Sequence, residues 1–167
     1  AQQYGQKFAY LIPTNLYGPG DKFHPSVSHV IPALIKKCVE AKESGAGHVD
    51  VWGTGAASRE YLYVDDAAAA IVAAAEHLDS AEPVNLGNDQ EVTIRETVET
   101  VASLVGFTGE LRWDTSKPDG QPRRRVDATR ARQLFGWVAS TPFHDGLRRT
   151  IDWYLANRSE AERPPLP

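Results

Sequence analysis

Two histidines, His24 and His29, lie in the segment FHPSVSH, and an imidazole can give or take a proton near neutral pH. A histidine beside a ligand-binding loop can therefore act as a general acid. The alternative for each residue is a helix-start histidine that bonds to the backbone, which is the commoner role. Because a spacing of five residues does not place both on one helical face, we expect no metal site from this pair.

Arg59 stands alone on the edge of a predicted strand, after the glycine-rich segment GTGAAS. A guanidinium in that position can hold a diphosphate through two hydrogen bonds. Trp52 lies just before this segment, and its indole can pack against a base or a sugar. The alternative is an Arg–Asp pair on the surface with a tryptophan in the core, and the residue types leave both interpretations open.

The segment SKPDGQPRRR is the densest basic stretch in a chain of net charge −4. Lys117, Arg123, Arg124 and Arg125 can hold phosphates, or the segment can close as a lid over a ligand. A solvated loop is the more frequent role of such a run, so that alternative stays open.

Pro13, Thr14, Asn15 and Leu16 directly follow an apolar segment that predicts a strand. Ligands of open α/β sheets bind at the carboxyl ends of strands, so backbone N–H groups and an asparagine side chain there can contact a cofactor. An ordinary turn is the alternative, because Asn and Pro are favoured in turns anyway.

The composition excludes several classes of protein. The chain has 167 residues, 41% hydrophobic and 24% charged, which is the size and mix of one globular domain. No apolar run approaches the roughly 18 to 20 residues of a membrane span, and no secretory signal is visible, so a cytoplasmic location is expected.

The single cysteine, Cys38, excludes a disulfide framework and a cysteine zinc site, and we expect it in the core. The negative charge argues against nucleic-acid binding. We find no Ser-His-Asp arrangement, P-loop or dinucleotide fingerprint.

The elements that must position these side chains alternate between apolar strands and helices, which indicates the α/β class. Predicted strands span 7–13, 48–53, 59–64, 82–87 and 110–114. Predicted helices span 28–44, 65–79, 93–106, 127–137 and 141–158. The second of these helices is alanine-rich on nearly all sides, a type usually buried against a sheet.

Several helix ends carry local signals. Thr93 and Glu96 fit a capping box, Asp127 fits an N-cap, and Pro32 suits the first turn of its helix. The segments 14–26 and 115–125 are predicted as loops, and the tail 159–167 is expected to fray. An apolar strand needs neighbours on both sides, so further strands are expected before this one.

Four segments occur in this order: PTNLYGPGDKFHPSVSHVIPALIKK, VWGTGAASREYLYVDDAAAA, VNLGNDQEVTIRETV and SKPDGQPRRRVDATRARQLFGW. Together they resemble the C-terminal part of the GDP-L-fucose synthase family, a branch of the extended short-chain dehydrogenases. The REYLYVDD element occurs across the extended dehydrogenases, whereas FHPSVSHVIPAL and KPDGQPRR are more particular to the fucose synthase branch.

The resemblance implies the end of a Rossmann-type parallel sheet plus a smaller α/β substrate-binding part. It implies NADPH-dependent conversion of GDP-4-keto-6-deoxy-D-mannose to GDP-L-fucose, by epimerisation at C3 and C5 and reduction at C4. His29 matches the family's acid in epimerisation. NADPH contacts are implied for Pro13, Thr14, Asn15, Leu16 and His29. Substrate contacts are implied for Lys37, which stands where the family often has arginine, and for Trp52, Arg59, Lys117, Asp119 and Arg124.

The family's remaining catalytic groups are expected upstream of Ala1: the glycine-rich fingerprint, a Tyr-x-x-x-Lys pair, a serine and a cysteine. This chain alone is therefore expected to be inactive. In the complete enzyme, the resemblance implies that the cysteine removes each proton beside the ketone and that His29 returns one. The tyrosine, its pKa lowered by the lysine, protonates the C4 oxygen as hydride arrives.

By the same resemblance, residues about 1–25 and 60–90 are expected in the Rossmann sheet, and about 26–59 and 91–160 in the substrate-binding part. A homodimer is expected for the complete enzyme, with no nucleic-acid or membrane partner. Two alternatives stay open. One is a sibling nucleotide-sugar epimerase or dehydratase, against which SHVIP and KPDGQPRR argue. The other is a non-catalytic fragment that binds a nucleotide sugar, which the absent Tyr and Lys favour for the chain by itself.

Overall fold

A computed structural model describes residues 3–165, so Ala1 lies outside the described residues. The strands are β1 (Leu11–Pro13), β2 (Asn15–Tyr17), β3 (His48–Trp52), β4 (Ser58–Tyr63), β5 (Val84–Leu86), β6 (Glu91–Thr93), β7 (Glu110–Asp114) and β8 (Arg123–Arg124). The helices are α1 (Val30–Ser44), α2 (Val64–His77), α3 (Ile94–Val105), α4 (Thr129–Phe135), α5 (Phe143–Ala156) and α6 (Arg158–Ala161). Between residues 3 and 165, no helix is both long and apolar enough to cross a membrane.

Parallel pairing dominates the sheets. β1 pairs with β5, β2 with β4, and β3 with β7, each in parallel. β4 also pairs with β6 in antiparallel fashion and with β8 in parallel. Since α1, α2 and α3 each connect two strands and the main pairings are parallel, the predicted α/β class is confirmed.

The chain passes from one sheet to another at Thr14. The Thr14 N–H donates to the Leu86 carbonyl at 2.9 Å, which extends the β1–β5 pairing by one residue. The Thr14 hydroxyl and the Asn15 side-chain amide both donate to the Glu60 carbonyl, at 3.3 and 2.8 Å. These side-chain bonds fix the point at which β2 begins beside β4.

The ends of α1 and α3 follow the local signals. The Thr93 hydroxyl accepts from the Glu96 N–H at 3.1 Å, and the Glu96 carboxylate accepts from the Thr93 N–H at 2.7 Å, so the predicted capping box is confirmed. Gly45 and Gly106 end α1 and α3 in the left-handed conformation, at φ of 69° and 75°. Pro32 lies in the first turn of α1, as predicted.

Two apolar clusters hold these elements together. The larger one packs α1, α3 and α5 against β3 and β4 and includes Cys38, which is buried as predicted; burial raises the pKa of its thiol to about 11. The smaller one packs α2 and α4 against β5. The opposite side of α2 leaves Ile71 and Val72 more than half exposed, so this alanine-rich helix buries one face only.

Several predicted boundaries are wrong because pairing across the fold decides them. β1 covers only the last three residues of the predicted strand 7–13. β2 and β8 lie in segments predicted as loops, and β6 was not predicted as a strand. Strands of two or three residues carry no readable alternation. They form here because β4 offers each of them a partner.

Arg59 lies at the start of β4, one residue after Ser58, and pairs there with both β6 and β8. Two further predictions need correction. Asp127 is not the N-cap of α4; Ala128 is, while the Asp127 carboxylate accepts from the Thr129 N–H at 2.9 Å. The tail does not fray at its start, because residues 158–161 form α6. Residues 166–167 of the predicted tail lie outside the described residues.

Candidate functional site

Two cavities meet at Arg59. The first, of about 390 Å³, lies between β2, the loop that follows it and the start of α1. The second, of about 240 Å³, lies between α1, the end of β3 and the basic segment 116–126, which we call the strap. Arg59 and Val30 line both cavities. An elongated ligand can therefore extend from one into the other past the guanidinium.

A glycine turn and a histidine shape the first cavity. Gly18 has φ of 150°, and a side chain there would collide with Val64 at the start of α2, so glycine lets the loop pass close to the helix. His29 is the N-cap residue of α1, yet its side chain makes no capping hydrogen bond. His29 thus lacks the capping bond to the helix backbone that the alternative from the sequence would require. Its exposed imidazole lines the cavity instead.

Asp21 lines the same cavity and was missed by the sequence analysis. Its Oδ1 accepts from the Lys22 N–H at 2.7 Å, while Oδ2 is buried with no hydrogen-bond partner among residues 3–165. Burial raises the pKa of the Asp21 carboxyl, while the bond from the Lys22 N–H and the charge of nearby His29 oppose that shift. The signal available in the sequence was an acidic residue in the same Gly-Pro loop that leads to the histidine.

Aromatic surface and positive charge meet in the second cavity. Trp52 is 67% exposed, so it is not a core residue. The Lys117 ammonium lies 5.7 Å from the centroid of the Trp52 ring. Lys37, on α1, donates to the Asp50 carbonyl at 3.1 Å. A flat apolar face beside ammonium groups suits an aromatic base joined to phosphates.

Asp119 fastens the strap over the second cavity. Its carboxylate accepts from the Thr54 N–H at 2.6 Å and from the Thr54 hydroxyl at 2.7 Å. These bonds lower the pKa of the Asp119 carboxyl. A side chain at Gly53 would collide with the same carboxylate, so the turn after Trp52 closes tightly on the strap.

Arg59 joins the strap to the sheet. Its Nη1 donates to the carbonyls of Ser58 and Gln121, both at 2.7 Å. In the part of the chain that the structure describes, no hydrogen bond engages Nη2 or Nε. Those donors are therefore available to a ligand in either cavity.

The structure brings most of the predicted site residues to the two cavities and places the others away from them. Seven line the cavities: Asn15, Leu16, His29, Lys37, Trp52, Arg59 and Asp119. Lys117 lies beside Trp52 at the rim. Pro13 and Thr14 lie at the end of β1 and line neither cavity, and Arg124 is exposed on β8. Residues 3–165 hold no cluster of His, Cys, Asp or Glu arranged to bind a metal ion.

A comparison with known families shows which family the chain belongs to. The model of the NAD dependent epimerase/dehydratase family matches residues 1–87. The chain belongs to this family. The matched part runs from β1 to the end of β5, so it contains most of the lining of both cavities but not the strap.

Within this family the chain is similar to proteins that share one name. GDP-L-fucose synthase 1 of Arabidopsis thaliana is 50% identical over 155 residues, which cover 93% of this chain and 48% of that protein. GDP-L-fucose synthase of Escherichia coli strain K12 is 45% identical over 166 residues, covering 94% and 51%. The solved GDP-L-fucose synthetase of Naegleria fowleri bound to NADP has a TM-score of 0.87 at 34% identity, over 93% of this chain and 49% of that one. The chain spans about half the length of the curated relatives it matches.

Proposed function

We propose that the protein carrying this chain converts GDP-4-keto-6-deoxy-D-mannose to GDP-L-fucose with NADPH. The observation that carries the proposal is the position of Arg59, between a cavity that holds His29 and a cavity that holds Trp52. A nucleotide sugar has its sugar, diphosphate and base in line, which suits this arrangement. Identity of 45–50% to proteins named GDP-L-fucose synthase supports this choice of sugar and base.

The second cavity binds the GDP end in this proposal. The Trp52 indole packs against guanine, and Arg59 holds the diphosphate through the donors that the strap leaves open. Lys37 adds a point charge without the two-pronged geometry of arginine. Lys117, Asp119 and Arg124 act from the strap, the first and last through positive charge and Asp119 through its grip on the turn after Trp52.

The lining of the first cavity fits the nicotinamide end of NADPH. Leu16 and Val30 are 41% and 45% exposed there, so each can cover a flat ring, while Asn15 and His29 offer polar atoms to its amide. Pro13 and Thr14 complete this side of the proposed site from the end of β1. When bound, NADPH supplies the hydride that reduces the C4 ketone.

His29 is the proposed acid in epimerisation. The C4 ketone makes the protons at C3 and C5 acidic, because the charge left on carbon spreads onto the carbonyl oxygen. After a base elsewhere in the protein removes such a proton, inversion requires a second group on the opposite face of the sugar. An exposed imidazole without a capping bond can deliver that proton.

The proposal also covers organisation. Residues about 1–25 and 60–90 serve the cofactor side, and about 26–59 and 91–160 serve the substrate side. The complete protein acts as a homodimer in the cytoplasm, where reducing conditions suit the buried free thiol of Cys38.

Incubation of the complete protein with NADPH and GDP-4-keto-6-deoxy-D-mannose tests the proposal. NADPH oxidation should keep pace with GDP-L-fucose formation, and the UDP-linked 4-keto-6-deoxy sugar should react far more slowly. Isomerisation of the sugar without net NADPH oxidation would instead identify a sibling epimerase. Binding of GDP without turnover of either sugar would identify a nucleotide-sugar-binding protein.

A further inference from the structure

Glu60 lies next to Arg59 in β4, and among residues 3–165 its carboxylate accepts hydrogen bonds from backbone N–H groups alone. Its side chain is 1% exposed. Oε1 accepts from the N–H groups of Asn88 at 2.8 Å and Asp89 at 3.0 Å, and Oε2 accepts from the Val126 N–H at 2.8 Å. Because Val126 is the last residue of the strap, one buried carboxylate joins the strap, the turn after β5 and β4.

The strap runs along β4 and is held at three successive residues. The Ser58 N–H donates to the Pro122 carbonyl at 2.9 Å, and the Arg59 guanidinium donates to the Gln121 carbonyl at 2.7 Å. β8 continues this contact in parallel register. The bond from Val126 to Glu60 is the last one, and it fixes where the strap leaves the sheet.

The turn after β5 is shaped around the same carboxylate. A side chain at Gly87 would collide with the Glu60 carboxylate and would lie 2.8 Å from the Val126 side chain. Asp89 adopts φ of 60°, a conformation that non-glycine residues rarely use. Both features bring the N–H donors of this turn to Oε1. The carboxylate is therefore an integral part of the contact that holds the strap against β4.

We infer that Glu60 is a positioning residue, which holds the strap in register with β4 and thereby sets the Arg59 guanidinium for a diphosphate. This inference rests on the proposed function, in which Arg59 is the diphosphate ligand. Glu60 acts through the strap: the Gln121 carbonyl that orients Arg59 lies five residues before Val126, the residue Glu60 holds.

Glu60→Gln should break the bond from Val126 and keep the bonds from the turn after β5. A glutamine amide has a single acceptor oxygen, which keeps the two donors of the turn, and its NH₂ then faces the Val126 N–H, donor against donor. In the complete protein, amide hydrogen exchange of peptides covering 118–127 should accelerate about tenfold, while peptides of α3 keep their rate. The dissociation constant of GDP, measured by calorimetry, should also rise about tenfold.

Three companion variants separate positioning from general support. Thr150→Val removes an equally buried hydroxyl whose bond, to the Gly146 carbonyl at 2.7 Å, lies within α5, and it should change neither measurement. Gly87→Ala keeps the carboxylate but displaces it, so it should move both measurements in the direction of Glu60→Gln and serves if that variant fails to fold. Glu60→Gln combined with Arg59→Ala should bind GDP no more weakly than Arg59→Ala alone.

Faster exchange of the strap with unchanged GDP affinity in both Glu60→Gln and Gly87→Ala would overturn the inference. Unchanged exchange of residues 118–127 would overturn it as well, whatever the affinity. If the parent protein binds no GDP, the proposed function fails, while the exchange measurement still decides whether Glu60 holds the strap. The two failures are therefore distinguishable.

Discussion

At the scale of single residues, Arg59 combines two tasks in one guanidinium. Nη1 is engaged by the carbonyls of Ser58 and Gln121, and these bonds restrict the side chain before any ligand arrives. Less conformational entropy is then lost on binding, which favours affinity. A lysine has no second set of donors in a fixed plane, so it cannot perform both tasks.

Arg59→Ala in the complete protein should weaken GDP binding by about 2 to 4 kcal/mol, because a charge-assisted contact to the diphosphate is lost. Arg59→Lys should recover only part of this. The matched control is Arg130→Ala, since Arg130 donates to the Pro83 carbonyl at 3.1 Å and lines neither cavity. Calorimetry that gives Arg59→Ala the same affinity as Arg130→Ala would make Arg59 a purely structural residue.

His29→Gln should damage epimerisation more than reduction. Glutamine can still hydrogen-bond, but it cannot deliver a proton near neutral pH, and loss of a general acid lowers a rate by about 10² to 10⁴. We expect sugar reduced at C4 without full inversion to accumulate in place of GDP-L-fucose. The affinity for NADPH is measured separately, because His29 lines the proposed cofactor cavity.

His24→Gln is the control for His29. It lies in the same segment, its Nδ1 is 2.8 Å from the Ser26 hydroxyl, and it lines neither cavity. It should leave the product mixture unchanged. GDP-L-fucose formed at the parent rate by His29→Gln would remove His29 from the chemistry.

At the scale of elements, residues 161 and 162 support the loop that borders the first cavity. The Phe23 N–H donates to the Ala161 carbonyl at 2.9 Å, and the Phe23 ring stacks on Tyr154 at 4.3 Å. Glu162 accepts from the Lys36 ammonium at 2.5 Å and from the Tyr154 hydroxyl at 2.6 Å. α6 and Glu162, the residue that follows it, thus tie α1 and α5 to the segment between Asp21 and His29.

Glu162→Gln should lower the free energy of unfolding at pH 7 by about 1 kcal/mol, a modest loss because part of the side chain is exposed to solvent. The Lys36 and Tyr154 bonds lower the pKa of Glu162 in the folded protein below its ordinary 4.5. Its stabilisation is therefore present above pH 4.5 and is lost as the pH falls through the lowered pKa. Melting temperatures of variant and parent should converge in acid. Glu43→Gln, which breaks an exposed pair with Arg158, should have a smaller effect at pH 7.

Helices could be predicted from the sequence more fully than strands, for a physical reason. The box of Thr93 and Glu96 is a local signal, and it marks the start of α3 correctly. β6 and β8 form only because β4 offers them hydrogen bonds from distant parts of the chain. No pattern within two or three residues reveals such a partner.

The residues of the candidate site also divide into those that the sequence could predict and those that it could not. Residue type and resemblance named Arg59 and Trp52, but the position of Arg59 between two cavities depends on the pairing of β4 with β8. Glu60 was missed because its neighbours in REYLYV are themselves charged or aromatic. The available signal was its place beside the run Tyr61–Tyr63, all of which is buried. An acid at an inward position needs donors, and these come from segments far along the chain.

At the scale of the whole molecule, the proposed labour divides between this chain and the rest of the protein. The 167 residues contain the proposed acid and diphosphate clamp but no Tyr-x-x-x-Lys pair. The chain expressed by itself should therefore not oxidise NADPH with GDP-4-keto-6-deoxy-D-mannose. Circular dichroism must first show that the isolated chain is folded. Steady NADPH oxidation by the folded chain would be incompatible with this division.

The reaction of the complete protein with NADPH and GDP-4-keto-6-deoxy-D-mannose in heavy water tests the central claim most directly. Each inversion removes a proton from carbon and returns one from an acid in exchange with solvent, whereas the hydride at C4 comes from NADPH. We expect GDP-L-fucose with deuterium at C3 and C5 and none at C4, determined by NMR and mass spectrometry. A product reduced at C4 without deuterium at C3 and C5 would contradict the account.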